Sequence, residues 1–256
     1  MELFWKTALV LFLYFMVFYI IAQITRNNSI VDIGWGLGFA VAAVYSMLES
    51  GRFDLVSVVV SSVVIIWGMR LFYHILKRNL GKPEDYRYVA MRRNWEGKKP
   101  ALQAFIRVFM LQMILMFIIS IPVIAANANE MKYPVAWLYP GLIIWLIGFF
   151  FEVAGDAQLR RFKADVSNKG KVMKTGLWKF TRHPNYFGES VMWTGIFIMS
   201  IPKGMIYLTF ISPVLITLLL VFVSGVPLLE KRYEGNIEYD EYKKRTSMFI
   251  PWFPGK

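Results

Sequence analysis

One stretch concentrates more chemistry than the rest of the chain, Gly176–Val191, which reads GLWKFTRHPNYFGESV. It contains His183, one of only two histidines, with Arg182, Asn185, Tyr186 and Glu189 close by. An amide such as Asn185 can pair with both groups of a carboxamide, and neighbouring cations can neutralise phosphates. Other strongly polar residues interrupt apolar runs: Asp32, Arg70 with His74, Glu152 with Asp156, and Glu189 itself. At a spacing of four, the members of each pair share a helix face. A charge in hydrocarbon costs several kcal/mol unless it faces a cavity or a partner, so these positions are candidates for function. Arg70 and His74 have snorkelling to the interface as an alternative, and Asp32 has a helix N-cap.

The elements that must hold these residues are membrane helices. The chain is 57% hydrophobic and 18% charged with mean hydropathy +0.46, too apolar for a water-facing globule of 256 residues. A spanning helix needs roughly 20 apolar residues. The candidates are Leu3–Ile24, Ile30–Leu48, Leu55–Leu76, Leu102–Ala125, Val135–Val153, Tyr186–Ile201 and Met205–Pro227. The sequence therefore predicts an all-α polytopic membrane protein of about seven helices, a single domain over residues 1–256. The first segment lacks a small-residue cleavage site and reads as an anchor rather than a removed signal.

Charge placement gives an orientation. Lysine and arginine collect after the third span (Lys77 to Lys99), after the fifth (Arg160 to Arg182) and after the seventh (Lys231 to Lys256). The alternate loops hold only Arg52, Lys132 and Lys203. Cytoplasmic loops are the positive ones, so the N-terminus is predicted outside and the C-terminus inside. Headgroups account for the net charge of +12, and nucleic acid is not an expected partner. With no cysteine, thiolate metal sites are excluded, two histidines are too few for a histidine metal cluster, and any catalysis must use another cofactor. No GxGxxG run marks a Rossmann domain.

The run Gly176–Glu189, with Asp156-Ala157-Gln158-Leu159-Arg160 upstream and the tail from Tyr242 to Ile250-Pro251, resembles the C-terminal signature of the steroid 5-alpha-reductase and sterol-reductase superfamily. With Ile30–Trp35 and Glu84–Tyr88 added, the whole chain resembles a prokaryotic membrane branch of that group. The resemblance implies an NADPH-dependent enzyme of the cytoplasmic membrane, its pocket open to the cytoplasm, reducing a carbon–carbon double bond conjugated to a carbonyl. Its cofactor-binding signature falls in residues 152–251. By the same resemblance Asn185 and Glu189 hold the nicotinamide carboxamide, and Asp156 and Arg160 the ribose and phosphate region. Lys163 and Lys171 stand where the family has phosphate-binding arginines, and Tyr233 and Tyr242 match tail tyrosines. Glu152, Arg182, His183 and Tyr186 complete the cofactor-binding set.

Steroid reductases of this group polarise the substrate carbonyl with a glutamate and a tyrosine of the N-terminal half. Here Asp32 is the expected acid, with Tyr73 and Tyr86 as candidates for the phenol. A sterol, an enone lipid or another flat apolar molecule is the expected substrate, entering from the bilayer, and no obligate protein partner is evident. Isoprenylcysteine and phospholipid methyltransferases share the Arg-His-Pro-x-Tyr-x-Gly core and bind S-adenosylmethionine, which keeps a methyltransferase as the alternative. They usually carry a Glu-Glu pair in the tail, where this chain has Glu230-Lys231. A non-enzymatic lipid-binding protein is a third class.

Overall fold

A computed structural model describes residues 1–128, 134–201 and 206–255. Lys132, Lys203 and Lys256 of the charge count, and Met205 at the start of the last expected span, lie outside them. Every regular element among the described residues is helical, and the chain divides into two compact units. Unit 1 comprises Met1–Val135 and Ser200–Thr209, and unit 2 Ala136–Met199 and Phe210–Lys256.

Unit 1 contains α1 (Glu2–Thr25), α2 (Ile30–Ser50), α3 (Leu55–Asn79), the short α4 (Tyr86–Asn94) and α5 (Pro100–Asn127). On α1 the side chains of Trp5, Leu9, Leu13, Val17, Ile20 and Ile24 are exposed, while Phe4, Leu11, Phe15 and Ala22 are buried. An apolar stripe left uncovered at helical spacing is what a lipid-facing helix presents. Asp54 starts α3 by accepting from the backbone N–H groups of Val56 and Ser57, and Asp85 starts α4 by accepting from that of Arg87. Helices α2 and α3 touch through backbone at Gly36 and Gly68, where a Cβ on either would come within 2.4 Å of the other's carbonyl oxygen.

A fully buried polar cluster ties α2, α3 and α5 together. The Asn127 amide donates to Ser46 Oγ (2.8 Å) and Ser61 Oγ (3.1 Å), and its carbonyl accepts from the hydroxyl of Ser57. All four side chains are wholly buried. In hydrocarbon such groups must satisfy one another, and here they do.

Unit 2 holds α6 (Val135–Ala164) from Ala136 on, α7 (Pro184–Met199), the part of α8 (Ile206–Leu218) from Phe210 on with a π-turn at Leu219–Val223, α9 (Val226–Glu230) and α10 (Ile237–Arg245). Its frame is a glycine ladder. Gly141 and Gly148 of α6 face Gly195 and Gly188 of α7, and a Cβ on Gly148 or Gly188 would sit 2.5 Å from the other's carbonyl oxygen. The two helices therefore meet backbone to backbone, as small residues permit in membranes.

Among the described residues six helices are long and apolar enough to cross a bilayer: α1, α2, α3, α5, α6 and Ile206–Tyr233. The seventh expected span, Tyr186–Ile201, is α7, which has 16 residues and falls short of that length. Helix α6 also runs beyond its expected end at Val153 to Ala164, carrying Asp156, Arg160 and Lys163 with it.

Candidate functional site

In unit 2 the signature stretch is held from three sides. Gly176 takes a left-handed φ of 64°, and a Cβ there would collide with the Gln158 side chain at 2.5 Å. That close approach lets Gln158 Oε1 accept from the Leu177 backbone N–H at 2.9 Å. The Trp178 indole donates to the carbonyl of Gly155 (3.1 Å), and the Tyr242 hydroxyl donates to the carbonyl of Trp178. Thr181 and Arg182 are joined to the tail, with the Arg182 N–H donating to Ser247 O at 2.9 Å. Pro184 then opens α7, where a proline lacks only an N–H that has no helical partner anyway.

Two polar groups so positioned leave an atom unspent. The Asn185 Nδ2 donates to Asp156 Oδ1 at 3.1 Å, which fixes the amide's orientation because an ionised carboxylate only accepts. Its Oδ1 is shielded from solvent and has no hydrogen-bond partner. His183 Nε2 faces Glu230 Oε1 at 3.1 Å and by the same logic carries the proton. Its Nδ1 is buried, bare and unpaired. Burial lowers the His183 pKa below its ordinary value against the opposing pull of Glu230, so the ring is neutral at pH 7. Glu230 also takes Arg182 (2.8 Å) and Lys243 (3.5 Å), and Tyr186 stacks on the His183 ring at 5.6 Å.

The other expected cofactor residues of unit 2 separate by burial. Glu152 and Glu189 are buried on α6 and α7, Tyr242 is buried, and Tyr233 is half-buried and stacked on Tyr239 at 4.3 Å. Arg160, Lys163 and Lys171 are exposed. Tyr242 and Trp178 act on the backbone of the signature rather than opening toward solvent.

In unit 1 Asp32 is not a helix cap: Ser29 occupies that position, and Asp32 lies inside the first turn of α2. Its Oδ1 accepts from the Tyr88 hydroxyl at 2.6 Å and its Oδ2 from the Arg87 guanidinium at 2.8 Å. Gln112 donates to the Tyr88 oxygen (3.3 Å), and Asp85 holds Arg87 from the other side (2.9 Å). The phenol against Asp32 is therefore Tyr88. Tyr73 is 63% and Tyr86 53% exposed, whereas Tyr88 is 5%. The signal for Tyr88 lay in Asp85: once Asp85 caps α4, residues 86 and 88 point about 200° apart, so one of the two must face inward. Burial, reinforced by Asp32, raises the Tyr88 pKa, which keeps the phenol protonated as a donor. Among the described residues no group of histidine, aspartate and glutamate could hold a metal ion.

Residues 18–246 match the family described as "Protein of unknown function (DUF1295)". The chain belongs to the DUF1295 family, within the steroid 5-alpha-reductase-like group. It is 23% identical to an uncharacterised Schizosaccharomyces pombe protein over 90% of this chain and 74% of that one. It is also 25% identical to mouse 3-oxo-5-alpha-steroid 4-dehydrogenase 1, over 44% of this chain and 41% of the mouse protein. A probable O-methyltransferase of Ustilaginoidea virens is 35% identical over 28% of this chain and 24% of its own. The matches thus span about two fifths of the steroid dehydrogenase and a quarter of the methyltransferase. No solved structure matches the chain.

Proposed function

We propose that the chain is an NADPH-dependent membrane reductase that saturates a carbon–carbon double bond conjugated to a carbonyl in an apolar, steroid-like or lipid substrate. The observation that carries this reading is the buried, unpaired Oδ1 of Asn185. A carboxamide NH₂ is the group that such an acceptor lacks, and leaving it unmet costs about 1–3 kcal/mol. Asp156 keeps that oxygen aimed by holding the amide nitrogen. The bare Nδ1 of His183 is a second acceptor beside it in the sequence, kept free of its proton by burial and by the Nε2 bond to Glu230.

When bound, NADPH would supply the hydride. Glu189 shares the carboxamide with Asn185, and Glu152, Tyr186 and Arg182 support the same stretch. The exposed cations Arg160, Lys163 and Lys171, with Tyr233, receive the phosphate end. Taken by itself, unit 1 offers the buried Tyr88 hydroxyl as a donor suited to a carbonyl oxygen. While Asp32 is ionised its carboxylate holds the Tyr88 proton, and a proton on Asp32 frees that O–H for another acceptor. Lysine and arginine placement supports a cytoplasmic location for the residues 160–182 and for the tail.

A second reading, S-adenosylmethionine-dependent methyl transfer, rests on the match to the probable O-methyltransferase. Titrating the purified protein with NADPH, NADH and S-adenosylmethionine separates the two. The reductase reading requires NADPH binding that weakens about tenfold or more in the Lys163→Ala/Lys171→Ala variant while NADH binding is little changed. Binding of S-adenosylmethionine without either dinucleotide would overturn it.

A further inference from the structure

Residues 246–255 form a loop whose two ends are fastened. The Gly255 N–H donates to Arg245 O at 2.9 Å, closing it on itself. Four further bonds pin it to the signature: Arg182 N–H to Ser247 O (2.9 Å), Thr181 Oγ1 to Phe249 O (2.8 Å) and to Met248 O (3.3 Å), and Trp252 N–H to Phe180 O (2.9 Å). Phe249 packs edge-on against Phe187, and Thr181 and Thr246 are buried beneath the loop. A segment held this firmly has a fixed outer face.

That outer face is apolar. Ile250 is 65%, Trp252 72% and Phe253 79% exposed, with Pro251 between the first two and Pro254 after the last. Ordering large apolar side chains in water gives no return, and an exposed basic run, Lys243-Lys244-Arg245, stands where the loop begins and to which its end returns. Tryptophan and phenylalanine beside lysine and arginine is the composition of a segment lying in the headgroup layer, with rings at the acyl boundary and cations on anionic phosphates.

We propose that residues 246–255 are an interfacial strap, seated in an anionic lipid leaflet through Ile250, Trp252 and Phe253, that ties Thr181 and Arg182 to the membrane surface. Lipid is the occupant because the cations that border the apolar face call for phosphate. The inference does not depend on which cofactor the signature binds.

The chain has no cysteine, so single cysteines introduced at 252, 253 and, as a water-exposed reference, at Lys169 can each carry a nitroxide without background. The protein is reconstituted in vesicles of phosphatidylcholine and phosphatidylglycerol, and collisions with oxygen and with a water-soluble nickel complex are compared. Labels at 252 and 253 are expected to favour oxygen and to report depths of about 5–10 Å below the headgroups, with the label at 169 favouring nickel. Lys244→Gln/Arg245→Gln should move the label at 253 outward in these vesicles and not in pure phosphatidylcholine. Nickel collisions at 252 and 253 equal to those at 169 would place the strap in water and overturn the proposal. Shielding from both reagents with spin–spin broadening would overturn it too, by making a second copy the occupant.

Discussion

The two units join helices in lipid with different balances of backbone and side-chain contact. Unit 1 has a backbone contact, Gly36 on Gly68 between α2 and α3, and otherwise uses side chains: Asn127 with Ser46, Ser57 and Ser61 ties α2, α3 and α5, and Asp32 with Arg87 and Tyr88 ties α2 to α4. Unit 2 joins α6 to α7 through the backbone, glycine against glycine. In unit 1 these polar groups are used up on one another. In unit 2 the ladder needs no polar side chain, and Asn185 and His183 keep buried acceptors unmatched. Where the frame is built of backbone, two acceptors of the signature stay unmatched within the protein.

The comparison breaks most sharply at the ladder. In Gly188→Val the new Cβ meets the backbone of Gly148 and of Glu152 at 2.5 Å, and neither can yield as a flexible side chain would. We expect a loss of about 3 kcal/mol, read as a collapse of the monodisperse fraction and of the thermal midpoint in detergent. A Gly188→Val protein with an unchanged midpoint would mean that the two helices do not meet through their backbones.

The next effect is in the polar cluster. Asn127→Leu strips Ser46 and Ser61 of their partner in a place without water, and about 1–2 kcal/mol should be lost. Adding Ser46→Ala and Ser61→Ala should restore much of it, because the two hydroxyls stripped of Asn127 are removed while the third, Ser57, keeps the Arg52 carbonyl as its acceptor. If the triple variant is no better than the single one, the cluster matters for shape and not for its hydrogen bonds.

A smaller effect follows pH. His183 has its pKa lowered in the fold, chiefly by burial, so between that value and the unfolded one near 6.5 the unfolded chain binds more protons. Stability contributed by the neutral ring is present above about pH 6.5 and is lost as pH falls below it, at no more than about 1.4 kcal/mol per pH unit. His183→Gln should flatten that part of the stability profile. An equally steep profile in the variant would assign the titration to another group.

Much of this was legible in the sequence. Long apolar runs gave six of the expected spans, because hydropathy over about 20 residues is a strong signal. The seventh, Pro184–Met199, is helical as expected yet short, since its first turn is spent on Asn185 and the signature. The signature itself was visible from its residue types, but the pairing of Asn185 with Asp156 was not, because it joins residues 29 apart on two helices and shows only once α6 and α7 are packed. Tyr88 was not singled out from Tyr86, because choosing between two phenols two residues apart needs the register that Asp85 sets by capping α4. The ladder went unread although Gly141, Gly148 and Gly155 recur every seven residues and Gly188 and Gly195 repeat the interval. Glycine spacing acquires meaning only when the facing helix is known.

The central claim, that the unspent oxygen of Asn185 is kept for a dinucleotide, is tested most directly by Asn185→Ala. The ligand-free thermal midpoint and NADPH affinity would be measured on the same preparation. The account predicts a midpoint nearly unchanged, corresponding to a stability change of about 0.5 kcal/mol or less, and an NADPH affinity reduced about tenfold or more. A lowered midpoint with unchanged NADPH affinity in the folded fraction would contradict it and make Asn185 a structural residue of α7.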